Sequence, residues 1–141
     1  MYYKVAIAQK KKINITIDAS LEEKTILNRL SEKDIRTICK LIGIYFDNAI
    51  EAAAETKNKK VLIEIYEFDN KVNFVFSNTF KNVLKDRNKK GTTTKGEGHG
   101  YGLYFASKLI KENDWIEEKQ DIVDKYYIQQ LIIKKKKSTK K

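Results

Sequence analysis

From Ser31 to about Asn58 the chain repeats its apolar residues at the period of an α-helix, and no other stretch limits the fold as strongly. At 100° per residue, Ile35, Ile38, Leu41, Ile42, Tyr45, Phe46, Ala49, Ile50 and Ala53 gather on one side. The opposite arc holds Arg36, Lys40, Asp47, Glu51 and Glu55, with Asn48 at its edge. Such a helix has to lay its apolar side on a second layer. Ser31 and Asp34 are both candidate N-caps, and Asn58-Lys59-Lys60 closes the region. Cys39 falls at an apolar position and reads as a small buried thiol. Ile44 stands out of place in the polar arc. It is either an ordinary exposed apolar residue or one that another element covers.

Strands supply the second layer. Ile13, Ile15 and Ile17 alternate with Asn14, Thr16 and Asp18, the pattern of a half-buried strand. Residues 19–31 read as irregular or weakly helical. Residues 61–68 and 71–76 read as two strands joined at Asp69-Asn70, a favourable hairpin turn. Residues 77–99 have little periodicity, and loops of that length in compact domains are usually functional or disordered. A second helix is predicted from near Gly102, with Leu103, Ala106, Ser107 and Ile110 on its buried side. Strands over 114–120 and 125–134 follow. This order predicts an α+β fold: a two-layer sandwich with a mostly antiparallel sheet and its helices on one face.

The 141 residues suffice for one domain. No apolar run approaches the roughly 20 residues that span a bilayer, and the N-terminus lacks the apolar core of a signal peptide. One cysteine cannot form an internal disulfide, and a cytoplasmic location is the expectation. The formal charge of +10 raises a nucleic-acid partner, but six lysines crowd the last eight residues and leave +4 for the body of the chain. Such a basic tail, 135–141, is usually solvated. Lys81, Lys85, Arg87, Lys89, Lys90 and Lys95 share their segment with glycines and threonines, which suits a loop facing phosphate. No nucleic-acid partner is expected.

Two segments carry chemistry. One is Asp47-Asn48-Ala49-Ile50-Glu51-Ala52 on the first helix; the other runs from Gly91 to Leu103 and opens the second. Unpaired N–H groups and the positive end of the dipole draw anionic phosphate to a helix start. Glycine lets the backbone approach closely, and Thr93, Thr94 and Lys95 add donors. The spacing is not that of a P-loop. Alone, this loop is equally readable as a mobile surface segment.

Together the two segments resemble the N box and second glycine box of the GHKL superfamily. That superfamily includes histidine kinases, type II topoisomerase ATPase subunits and MutL-type repair proteins, which share the Bergerat fold with a long ATP lid. The resemblance covers about 10–134. It implies ATP and Mg²⁺ as ligands, with Asn48 on the metal. Glu51, Asn78, Thr93, Thr94, Lys95, Gly96, Gly98, His99, Gly100, Tyr101, Gly102 and Leu103 would join Asn48 around the nucleotide. One amide oxygen plus phosphate oxygens suits Mg²⁺, which keeps several waters. Asp47 and Glu51 either support the site, Asp47 as a further metal contact, or form a solvated face.

Two departures refine the expectation. Relatives that hydrolyse ATP carry a glutamate one turn before the metal asparagine; here that place is Ile44, which accepts no proton. Transfer of the phosphoryl group to a protein is therefore favoured over hydrolysis. The Asp-x-Gly-x-Gly that follows the central hairpin in most relatives is replaced by Phe76-Ser77-Asn78-Thr79-Phe80. Asn78 there is either an adenine acceptor or a turn residue. This combination resembles the peptide quorum-sensing kinases of the Agr and VirS type. That likeness implies a membrane-bound homodimeric kinase, with a dimerisation and phosphoacceptor domain and a response regulator downstream. Residues 1–10 would be the end of the dimerisation helix or a leader, and 11–134 the catalytic domain. The phosphoacceptor histidine is not in the chain, since His99 lies between two glycines and is placed to meet phosphate. The competing reading is a degenerate domain that holds nucleotide or a partner without catalysis.

Overall fold

The computed structural model describes Ala6, Lys10, 12–81 and 97–135, with the backbone alone for 97–101. Among the described residues five strands and two long helices follow one another. They are β1 (Asn14–Ser20), α1 (Glu32–Ala54), β2 (Lys60–Phe68), β3 (Lys71–Thr79), α2 (Glu97–Glu112), β4 (Ile116–Val123) and β5 (Tyr126–Ile133). One 3-10 turn, Ile26–Arg29, precedes α1.

Ser31 opens α1, its Oγ accepting from the Asp34 N–H at 3.1 Å. Glu32 and Asp34 place acidic side chains in the first turn, where the helix dipole favours them. Ile38, Leu41, Tyr45, Phe46, Ala49, Ile50 and Ala53 are buried in the three-and-four spacing of one face. The helix stops at Ala54 instead of reaching Asn58. There Thr56 Oγ1 donates to the Ala53 carbonyl at 2.8 Å and accepts from the Lys59 N–H at 2.9 Å, so it replaces the next helical turn.

The sheet order is β1-β2-β3-β5-β4. The β1–β2 pair is parallel and the other three are antiparallel, as a mostly antiparallel sheet requires. Asp69 and Asn70 both hold positive φ, 56° and 60°, in the predicted two-residue turn between β2 and β3. Beyond Phe76, β3 runs on to Thr79. Thr79 Oγ1 accepts from the Lys60 N–H at 3.1 Å and meets Thr56 Oγ1 at 2.9 Å, tying the end of β3 to the α1–β2 connection.

Register places three rows of side chains under the helices. Ile15, Val61, Asn78, Tyr127 and Ile122 stand side by side; Ile17, Ile63, Phe76, Gln129 and Gln120 form the next row; Ala19, Ile65, Phe74, Leu131 and Glu118 form the third. The Phe76 ring meets Tyr45 edge-on at 5.9 Å and Phe46 at 6.4 Å, so α1 lies over the middle of β3. Both helices contribute to the one core, α2 through Ala106. Among the described residues, no helix is long and apolar enough to cross a membrane.

Three sequence expectations need correction. Helix α2 begins at Glu97, ahead of Gly102. Leu103 and Ser107 are exposed, because the buried stripe of α2 runs through Gly102, Ala106, Leu109 and Ile110. Small residues at 102 and 106 let α2 approach α1 closely, which turns Leu103 outward. Cys39 is exposed, lying one step round the helix from buried Ile38, where the sheet no longer covers the apolar arc.

Candidate functional site

Asn48 projects from α1 onto the sheet. Its Nδ2 donates to Oε1 of Gln129 on β5 at 3.0 Å, and Gln129 is almost fully buried. One turn earlier, the Tyr45 hydroxyl donates to Glu118 on β4. Burial first, and then the hydrogen bond and charge of Glu118, hold the Tyr45 phenol far above its usual ionisation range. The two bonds attach one face of α1 to two strands.

Asn78 lies on β3, diagonal to Gln129 across the β3–β5 ladder. It is a strand residue, not a turn residue, and is fully buried. Its Nδ2 donates to the Thr79 carbonyl at 2.9 Å, while Oδ1 has no hydrogen-bond partner. A buried acceptor left in that state costs about 1–3 kcal/mol. A ligand donor such as an aromatic amine would recover it. Beside this end of the sheet the Phe80 and Tyr127 rings lie 6.0 Å apart and tilted by 53°. There Glu55, Thr56, Lys57, Thr79, Lys81 and Lys125 also line a hollow of about 280 Å³. A larger hollow of about 430 Å³, with Leu62, Ser77, Tyr126 and Ile128 in its wall, opens on the face of the sheet away from the helices. None of the predicted site residues lines it.

Ile44 is half-buried against α2: a Cβ built on Gly102 would meet its Cγ2 at 3.6 Å. The out-of-place apolar residue of α1 is therefore the one that α2 covers. Asn48 follows it by one turn on the same side, so the metal-binding candidate and the glycine-framed part of α2 occupy the same face of the sheet. Asp47 is exposed and Glu51 half-buried on α1.

A family model for the GHKL domain matches residues 33–134. The chain belongs to that family. The sensor protein CitS of Bacillus subtilis (strain 168) is 29% identical over 119 residues, 81% of this chain. The chain spans about a fifth of that relative's length, 21%. Among solved structures, the catalytic domain of the histidine kinase ThkA superposes with a TM-score of 0.71 at 19% identity, covering 95% of this chain and 86% of that chain. ThkA in complex with the response regulator protein TrrA gives 0.67 at 18% identity, covering 96% and 38%. The Acinetobacter baumannii histidine kinase AdeS gives 0.63 at 12% identity, covering 96% and 63%. The fold is that of histidine kinase catalytic domains.

Within this GHKL domain, Asn48, Asn78 and Gly102 share the helix-covered face of the sheet. Thr93, Thr94, Lys95 and Gly96 lie outside the described residues, as do the side chains of His99 and Tyr101. Gly98 and Gly100 are described only as helical backbone. Leu103 is exposed on α2. Gln129 and the Tyr45–Glu118 pair are absent from the sequence expectation. Gln129 had a signal: an amide at an inward position of a strand whose next inward residues, Leu131 and Ile133, are apolar needs a partner.

Proposed function

We propose that this chain is the ATP-binding catalytic module of a sensor histidine kinase. It binds Mg·ATP between α1 and the start of α2 and donates the γ-phosphoryl group to a histidine on a phosphoacceptor domain. The observation that carries this reading is the fully buried, unpartnered Oδ1 of Asn78, two rungs from the strand residue that holds Asn48. One buried acceptor suits the adenine amino group, and one amide above it suits a metal on the phosphates. The histidine kinase fold of its neighbours and the sensor protein among its relatives support the same reading.

In this reading Asn78 accepts from adenine and Asn48 offers an oxygen to Mg²⁺, which supplies charge neutralisation to the phosphates when bound. The backbone at the start of α2 meets phosphate, with His99 beside it. Ile44 presents no base to a water, so the site favours transfer to a protein side chain. The chain's own work is to bind, to orient and to exclude water. We assign the finer class as a peptide quorum-sensing kinase, a membrane-bound homodimer whose response regulator takes the phosphoryl group onward. This finer assignment rests on the motif likeness alone.

Calorimetric titration with Mg·ATP tests the site. Asn48→Ala is expected to weaken binding tenfold or more, about 1.4 kcal/mol. Incubation with labelled ATP and a separately purified phosphoacceptor domain tests the activity. Acid-labile label on that domain, and none on this chain, is expected. Label on His99 would overturn the assignment. Tight ATP binding with no transfer would reduce the chain to a nucleotide-binding module.

A further inference from the structure

We propose that Gln129 is the positioning residue for Asn48, setting which end of its amide is offered to the metal. The inference rests on the reading of Asn48 as the residue that holds Mg²⁺. A side-chain amide has one end that can bind a cation, the oxygen, and one that cannot, the NH₂ group. The terminal torsion is broad and roughly two-fold, so an unconstrained asparagine exchanges the two ends freely.

In this domain the exchange is blocked from below. Gln129 Oε1 accepts from Asn48 Nδ2 at 3.0 Å, which commits the nitrogen to the sheet and turns the oxygen to the opposite side of the amide. Turning the Asn48 amide over would set oxygen against oxygen unless the Gln129 amide turned with it, which its burial on β5 opposes. The acceptor itself sits on a rigid support: β5 is paired on both sides, Gln129 stands between Phe76 and Gln120, and 1% of its surface is exposed. Tyr45, three residues before Asn48, anchors the same face of α1 to Glu118 and resists rotation of the helix about its axis. Partners of this kind, which orient a metal ligand without touching the metal, typically change metal affinity by about 10–100-fold when removed.

The test measures ATP affinity of the full chain by calorimetry, with saturating Mg²⁺ and with EDTA, in the wild type, N48A, Q129M, the N48A/Q129M double variant and Q129E. Methionine keeps the length and bulk of Gln129 and removes the acceptor; glutamate keeps the acceptor. Q129M is expected to weaken binding about tenfold with Mg²⁺ and less than about twofold with EDTA. It should add nothing in the N48A background, because the two residues act through one contact. Q129E should keep the Mg²⁺ enhancement within about threefold, since an acceptor remains.

Equal weakening with and without Mg²⁺, or additivity with N48A, would overturn the proposal. If N48A loses the enhancement while Q129M keeps it, Gln129 is not the orienting group and the metal role of Asn48 stands. If N48A keeps the enhancement, the metal role itself fails and takes the proposal with it. Should Q129M not fold, Q129A, which removes the acceptor without adding bulk, decides: loss of the Mg²⁺ enhancement supports the inference and its retention overturns it.

Discussion

Ile44 on α1 faces Gly102 on α2 at a separation that leaves room for a methyl group: a Cβ at position 102 would lie 3.6 Å from Ile44 Cγ2, an ordinary van der Waals distance. Gly102 is inside a helix, where glycine is worse than alanine by roughly 0.8–1.0 kcal/mol. Gly102→Ala should therefore raise the unfolding free energy by about 0.5–1 kcal/mol. Chemical denaturation of the nucleotide-free protein checks this. A lowered stability would mean that α1 and α2 pack more tightly than this distance allows.

A different balance governs Asn78. Asn78→Leu keeps the number and branching of the side-chain heavy atoms, adds bulk, and removes an acceptor that has no partner. It also removes the Nδ2 bond to the Thr79 carbonyl. Loss of the unpaired acceptor stabilises, while the lost bond and the bulkier methyls destabilise, so the unfolding free energy should fall by no more than about 1–3 kcal/mol. ATP affinity should nevertheless fall tenfold or more, about 1.4 kcal/mol. Paired denaturation and titration separate the two effects. A large loss of stability with unchanged affinity would make Asn78 a structural residue only.

What the sequence made legible was local. The phase of α1, its cap (Ser31, one of the two candidates) and the Asp69-Asn70 turn each depend on residues within a few positions of one another, and the structure shows all three. The motif on α1 and the glycines leading into α2 pointed to one face because both motifs sit on amphipathic helices. The partner of Asn48 was not legible, since 81 positions separate it from Gln129 and only the strand register brings them together. The stripe of α2 was misread for a related reason. Its buried face is built on Gly102 and Ala106, whose small size matters only because Ile44 stands opposite.

Cys39 offers a check on where the sheet stops covering α1. An exposed thiol should react with an aromatic disulfide reagent in the native protein about as fast as in the unfolded chain, within roughly threefold. ATP binding should survive the modification, because Cys39 lies more than two turns from Asn48 along α1. Protection of the native thiol by a hundredfold would place Cys39 in the core after all.

The Tyr45–Glu118 bond predicts an alkaline limit to stability whose sign can be worked out. In the folded chain burial and Glu118 raise the Tyr45 pKa well above its ordinary value. In the unfolded chain the phenol ionises near pH 10. Below about pH 10 both states keep the proton and this group adds no pH dependence. Above that, the unfolded state releases a proton that the folded state retains, so stability falls by about 1.4 kcal/mol per pH unit from this residue alone. Tyr45→Phe should remove that slope, measured as the difference between the two proteins because other tyrosines also titrate. At neutral pH the same variant leaves Glu118 without its phenol donor and should cost about 1.5–3 kcal/mol, the range for a hydrogen bond to a charged group. Denaturation midpoints from pH 8 to about 11 test both effects. Parallel curves for the two proteins at high pH would show that Tyr45 ionises as readily in the fold as outside it, and that its bond to Glu118 does not hold α1 on the sheet.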